Sequence, residues 1–122
     1  MDAPEDLVEY RRLLAQMQEH RVESGGKPRT WNRLVDRLQT VQLRLRESPE
    51  GRRGITALAE DGESETVRDW AAAHALFWDD ERVRPLLESV AREDTLRGLD
   101  AKTVLREFDA GRLTMEWVPK GG

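Results

Sequence analysis

Clusters of carboxylates are the feature of this sequence whose residue types and spacing come closest to a chemical site. The two densest groups are Asp61, Glu63 and Glu65, followed by Asp79, Asp80 and Glu81. Neighbouring carboxylates can act as acid–base pairs or hold Mg²⁺ through their oxygens. Acidic residues at helix starts are also stabilised by the helix macrodipole, and the spacing does not match a Ca²⁺-binding EF-hand loop. We interpret both groups as helix-capping, solvated carboxylates, and predict no metal ion and no cofactor.

Side chains suited to nucleophilic or general-base catalysis are few. The chain has no cysteine and two histidines, His20 and His74. It contains no nucleophile elbow, phosphate-binding glycine loop or dinucleotide-binding fingerprint. The glycine-flanked arginines of residues 51–54 lack the Lys-Ser/Thr pair and the preceding strand that a phosphate loop requires. The sequence therefore predicts a protein that is not an enzyme, with His20 facing solvent.

The charge distribution is uneven although the net charge is only −4. Residues 27–53 carry eight Lys/Arg and three Asp/Glu, whereas residues 60–81 carry eight Asp/Glu and one Arg. An acidic stretch of this kind favours a basic partner. The basic stretch suggests nucleic-acid binding as an alternative, although the sequence pI of about 5.3 disfavours it. In a third interpretation the two stretches pair with each other, within one chain or between the subunits of a self-associating scaffold.

Aromatic side chains within the acidic stretch suggest a protein interface. Trp70, Phe77 and Trp78 have acidic neighbours, and tryptophan is enriched among the residues that dominate interface energetics. We expect Trp70 and Phe77 in the core and Trp78, at a helix end, on the surface. The predicted partner-binding residues are Asp61, Glu63, Glu65, Asp69, His74, Trp78, Asp79, Asp80 and Glu81.

The first part of the chain is predicted to be a helical hairpin. Unbranched Leu, Ala, Arg and Glu dominate the composition, which favours helices over strands. The first helix is expected to begin near Pro4 and to end before Gly25. A second helix is expected from Pro28 to Leu45. The apolar residues that recur at helical spacing are Leu7, Tyr10, Leu14 and Met17, then Trp31, Leu34, Val35, Leu38, Val41 and Leu45.

Four shorter helices are predicted after a break at residues 48–51. The first covers residues 55–60, and the second follows an N-cap at Ser64 and covers residues 65–78. Asp79 or Asp80 is expected to cap the third, in which Pro85 predicts a kink or a later start. The fourth covers 100–109.

An ungapped alignment of residues 66–76 with residues 95–105 suggests an internal repeat with an offset of 29 residues. Threonine, arginine, alanine and leucine are identical at four aligned positions. An offset near 30 residues is typical of stacked helix pairs.

Residues 55–87 resemble a HEAT-type repeat. The segment Val67-Arg68 followed by Ala71-Ala72 is similar to the Val-Arg-x-x-Ala-Ala second helix of that family. With residues 32–37 in the second helix, the chain is similar to a bacterial family of small helical domains of unknown function. Members of such families occur among the immunity proteins of polymorphic toxin systems. The resemblance implies a short superhelix with a surface for a protein partner.

Together these features predict a single all-α domain over residues 1–122. It comprises a hairpin at 1–47, HEAT-like repeats at 48–118, whose last six residues form an extended tail, and a frayed end at 119–122. The acidic N-terminus lacks the character of a signal peptide, and no apolar run could span a bilayer, so we expect a cytoplasmic protein. The predicted function is that of an immunity protein that occludes a cognate, basic, nuclease-type toxin. The alternatives are a nucleic-acid-binding regulator and a self-associating scaffold subunit.

Overall fold

The computed structural model describes residues 3–21 and 25–113, which are all-α. These residues form five helices and no strand: α1 Ala3–Glu19, α2 Pro28–Leu45, α3 Pro49–Asp61, α4 Glu65–Ala91 and α5 Leu96–Asp109. The chain divides into two compact units, with the boundary between Arg52 and Arg53. The predicted extended tail lies outside the described residues except for Leu113, and so does the predicted frayed end at 119–122.

The first unit contains the predicted helical hairpin, in which α1 packs against α2. Each helix contributes one apolar stripe, because residues three and four apart lie on the same face. Leu13 is buried although the predicted stripe omits it, and Leu7 is only half-buried. The buried apolar side chains are Tyr10, Leu13, Leu14, Met17, Leu34, Leu38, Val41 and Leu45.

Helix α3 begins at Pro49, within the segment predicted to be a break. Proline is accepted in the first helical turn because the N–H that it lacks would have no intrahelical partner there. The hydroxyl of Ser48 accepts a hydrogen bond from the Gly51 backbone N–H at 3.0 Å, as an N-cap residue does. The Ser-Pro-Glu-Gly segment therefore starts a helix, and the predicted start at residue 55 is too late.

Helix α4 replaces two predicted helices with one kinked element. The kink lies at Asp79, whose backbone (φ −146°, ψ 47°) leaves the helical region. The break therefore coincides with the predicted helix boundary at Asp79 or Asp80 rather than with Pro85, which lies inside the second segment. Small side chains on the first segment, including Ala71 and Ala75, are fully buried, and α4 packs closely against α5.

The aligned segments of the predicted internal repeat do not occupy equivalent positions. Ser64 is the N-cap of α4, whereas Thr95 is the N-cap of α5, so the aligned Thr66 already lies inside its helix. Val67 is buried, but its aligned counterpart Leu96 is exposed. The alignment with an offset of 29 residues is therefore wrong in register, and the HEAT-like arrangement stays a prediction.

Candidate interaction surface

Three of the predicted acidic residues lie together on the turn between α3 and α4. Asp61 is the last residue of α3, and Glu65 is the first residue of α4. Both are exposed, as is Glu63 between them, and the side chain of Glu65 is 62% exposed. We call residues 61–65 the acidic turn.

Local contacts fix the backbone of the acidic turn. The Ser64 hydroxyl accepts a hydrogen bond from the Val67 backbone N–H at 3.2 Å, which caps α4. Gly62 is buried and packs so closely against Leu58 that a β-carbon at this position would lie 2.6 Å from the Leu58 carbonyl oxygen. The Arg68 guanidinium donates to the Gly62 carbonyl at 2.8 Å. The three carboxylates are therefore held on an ordered backbone, which lowers the entropy lost when a partner binds.

Asp69 belongs to an internal ion pair of the second unit. Arg97 Nε and Nη2 lie 2.6 and 2.8 Å from the two carboxylate oxygens of Asp69, which is a two-point contact. Arg97 also lies 3.5 Å from Glu65 and 3.4 Å from Glu93. The hydrogen bond with Asp69 is the main cause that raises the pKa of Arg97 above its usual value. Asp69 therefore joins α4 to α5, and its charge is compensated inside the protein.

The second predicted acidic group divides into one compensated residue, one kink residue and one exposed residue. Arg84 contacts Asp80 at 2.7 Å and Asp109 at 2.6 Å. These hydrogen bonds, the one with Asp109 first, raise the pKa of Arg84 above its usual value, and the same contact lowers the pKa of Asp109. Asp79 is half-buried at the kink, whereas Glu81 is exposed.

An aromatic contact lies beside this ion-pair group. The Arg84 guanidinium carbon is 5.9 Å from the centroid of the Phe108 ring, and Phe108 meets Phe77 edge to face at 5.3 Å. The quadrupole of an aromatic ring favours both the edge-to-face contact and the cation above the ring. Phe77 and Trp70, which we expected in the core, are both half-buried.

His74 and Trp78 are held inside the second unit. His74 is completely buried, with its ring centroid 6.0 Å from that of Trp70. The indole N–H of Trp78 donates to the Thr56 hydroxyl at 3.1 Å, and the residue is half-buried. His74 is not available at the surface and is therefore removed from the predicted partner-binding residues. Trp78, which was expected on the surface, instead connects α4 to α3 through its hydrogen bond with Thr56.

Two arginines of the basic helix α2 form ion pairs within the first unit. Arg44 contacts the buried carboxylate of Asp6 at 3.0 Å, and this hydrogen bond raises the Arg44 pKa. Arg37 lies 3.5 Å from Glu9, whose pKa is lowered mainly by its hydrogen bond with Arg12. These ion pairs join α1 to α2, so the corresponding arginines have a structural role in the hairpin.

Arg29 and Arg33 are exposed on the same helix one turn apart. They are the part of the basic stretch that best suits the nucleic-acid alternative, since phosphate contacts require accessible cations. The basic surface is smaller than the seven arginines of residues 29–53 suggest, because Arg37 and Arg44 face carboxylates. Arg52 also donates a hydrogen bond to the backbone carbonyl of Arg46.

Sequence reasoning missed an exposed apolar pair on α5. Leu96 is 62% exposed and Leu99 is 58% exposed. They face away from Gly98 and Ala101, which are buried on the opposite side of the helix. The signal was present in the sequence, because small residues mark the face that packs closely. The predicted helix start near Asp100 left both leucines outside the helix, so the pattern was not recognised.

Among residues 3–21 and 25–113, no group of three or more His, Asp or Glu side chains is placed to hold a metal ion. No helix within the same residues has the length and apolar character needed to cross a membrane.

Comparison of the chain with protein-family models, curated proteins and solved structures finds no match.

Proposed function

We propose that the protein binds a basic protein stoichiometrically and without catalysis, through the acidic turn. The observation that carries the proposal is the grouping of three exposed carboxylates on one turn whose backbone is fixed. Asp61, Glu63 and Glu65 are exposed on one fixed turn. Asp69 and Asp80 are compensated by arginines within the unit.

Electrostatics supports binding through this turn. Asp69 and Asp80 are contacted by arginines of the same unit. Three exposed carboxylates lie within the five residues 61–65, and Glu65 remains 62% exposed although it lies 3.5 Å from Arg97. Exposed charges of one sign steer an oppositely charged partner during diffusional encounter and raise the association rate. A partner with a basic surface would be attracted first to residues 61–65, with Glu81 as a further exposed carboxylate of the same unit.

The finer assignment is to an immunity protein that occludes a toxin. It rests on the resemblance of residues 55–87 and 32–37 to small bacterial helical domains and on the charge of the acidic turn. A nuclease-type toxin fits this charge because an active site that binds phosphate is itself basic. The mechanism would be electrostatic steering followed by steric occlusion of that active site.

Affinity capture tests the proposal. The tagged protein is expressed with the product of the neighbouring gene and recovered from native cell lysate, and the eluate is analysed for protein, nucleic acid and stoichiometry. The proposal expects one basic protein at a fixed ratio, and it expects co-expression to relieve that protein's toxicity.

A charge-matched pair of variants makes the test specific. Asp61→Asn, Glu63→Gln and Glu65→Gln together remove three charges from the acidic turn and should reduce capture. Three exposed carboxylates elsewhere serve as the control: Glu47→Gln, Glu50→Gln and Glu88→Gln. Both triple variants change the net charge from −4 to −1, so a difference between them reports the location of the charge. Capture that persists in the first triple variant, or recovery of nucleic acid through Arg29 and Arg33, would contradict the proposal.

A further inference from the structure

We draw no further inference here: the strongest candidate, the apolar surface patch that Leu96 and Leu99 form on the exposed face of α5, carries no proposal because nothing in the structure shows what covers it.

Discussion

Arg97 on α5 holds the carboxylate of Asp69 on α4 at two points, with N–O distances of 2.6 and 2.8 Å. The two residues are 28 positions apart in the sequence, and both side chains are partly buried. A planar guanidinium that meets both carboxylate oxygens fixes the relative orientation of the two helices as well as their distance. Because Arg97 holds both oxygens of Asp69, this carboxylate is less available to a partner than the exposed ones.

Removing this ion pair is expected to destabilise the second unit. Asp69→Asn should lower the free energy of unfolding by about 1–3 kcal/mol, because the partly buried Arg97 loses its charged acceptor. In a double-mutant cycle with Arg97→Gln, the coupling energy should be about 1 kcal/mol. Arg106→Gln is the control, because Arg106 is 67% exposed and its ion pair is with the neighbouring Glu107, 3.6 Å away on the same helix. Urea unfolding of the parent and of these four variants measures the values, and additive effects of Asp69→Asn and Arg97→Gln would refute the coupling.

The cap of α4 is expected to determine the order of the acidic turn. Ser64→Ala removes the acceptor for the Val67 N–H and should cost about 1 kcal/mol. Amide hydrogen exchange of residues 62–67 should become faster than in the parent protein. Ser89→Ala, at an exposed position within α4, should change stability by less than about 0.5 kcal/mol. Equal effects of the two changes would show that the cap does not hold the turn.

Tyr10 is expected to couple stability to alkaline pH. Burial raises its pKa well above 10.0, because the phenolate would lose hydration in the core of the hairpin. The pKa of Tyr10 is higher in the folded protein than in the unfolded chain. The contribution of the neutral Tyr10 side chain to the free energy of unfolding is therefore complete below pH 10 and is lost as pH rises above it. The chain has a single tyrosine, so tyrosinate absorbance reports this residue alone. Ionisation should coincide with the loss of helical circular dichroism, and tyrosinate formed near pH 10 in a helical protein would contradict the account.

Local patterns predicted the helical hairpin well. The apolar periodicity of α1 and α2 lies within single helices, where the 3.6-residue repeat alone places side chains on a face. The start of α3 was missed because Pro49 was interpreted as a helix breaker, although proline at a first turn favours a helix start. That error concerns the choice between two local roles of one residue.

Ion pairs across helices could not be predicted from the same patterns. The contact of Arg84 with Asp80 joins residues four positions apart on one helix. Arg84 also contacts Asp109, and Arg97 contacts Asp69, across packed helices. Such pairs depend on helix packing, which sequence spacing does not specify. The sequence therefore identified the acidic stretch, but the carboxylates that arginines hold across helices could be recognised only in the folded chain.

The association rate of the captured basic partner tests the central claim most directly. It is measured at low and moderate salt with the parent protein, with the triple variant of Asp61, Glu63 and Glu65, and with the charge-matched control triple. The account predicts that the acidic-turn variant associates about tenfold more slowly at low salt and loses most of its salt dependence. The control should keep the rate and salt dependence of the parent. Equal rates for the two triple variants would contradict the claim that the acidic turn steers the partner.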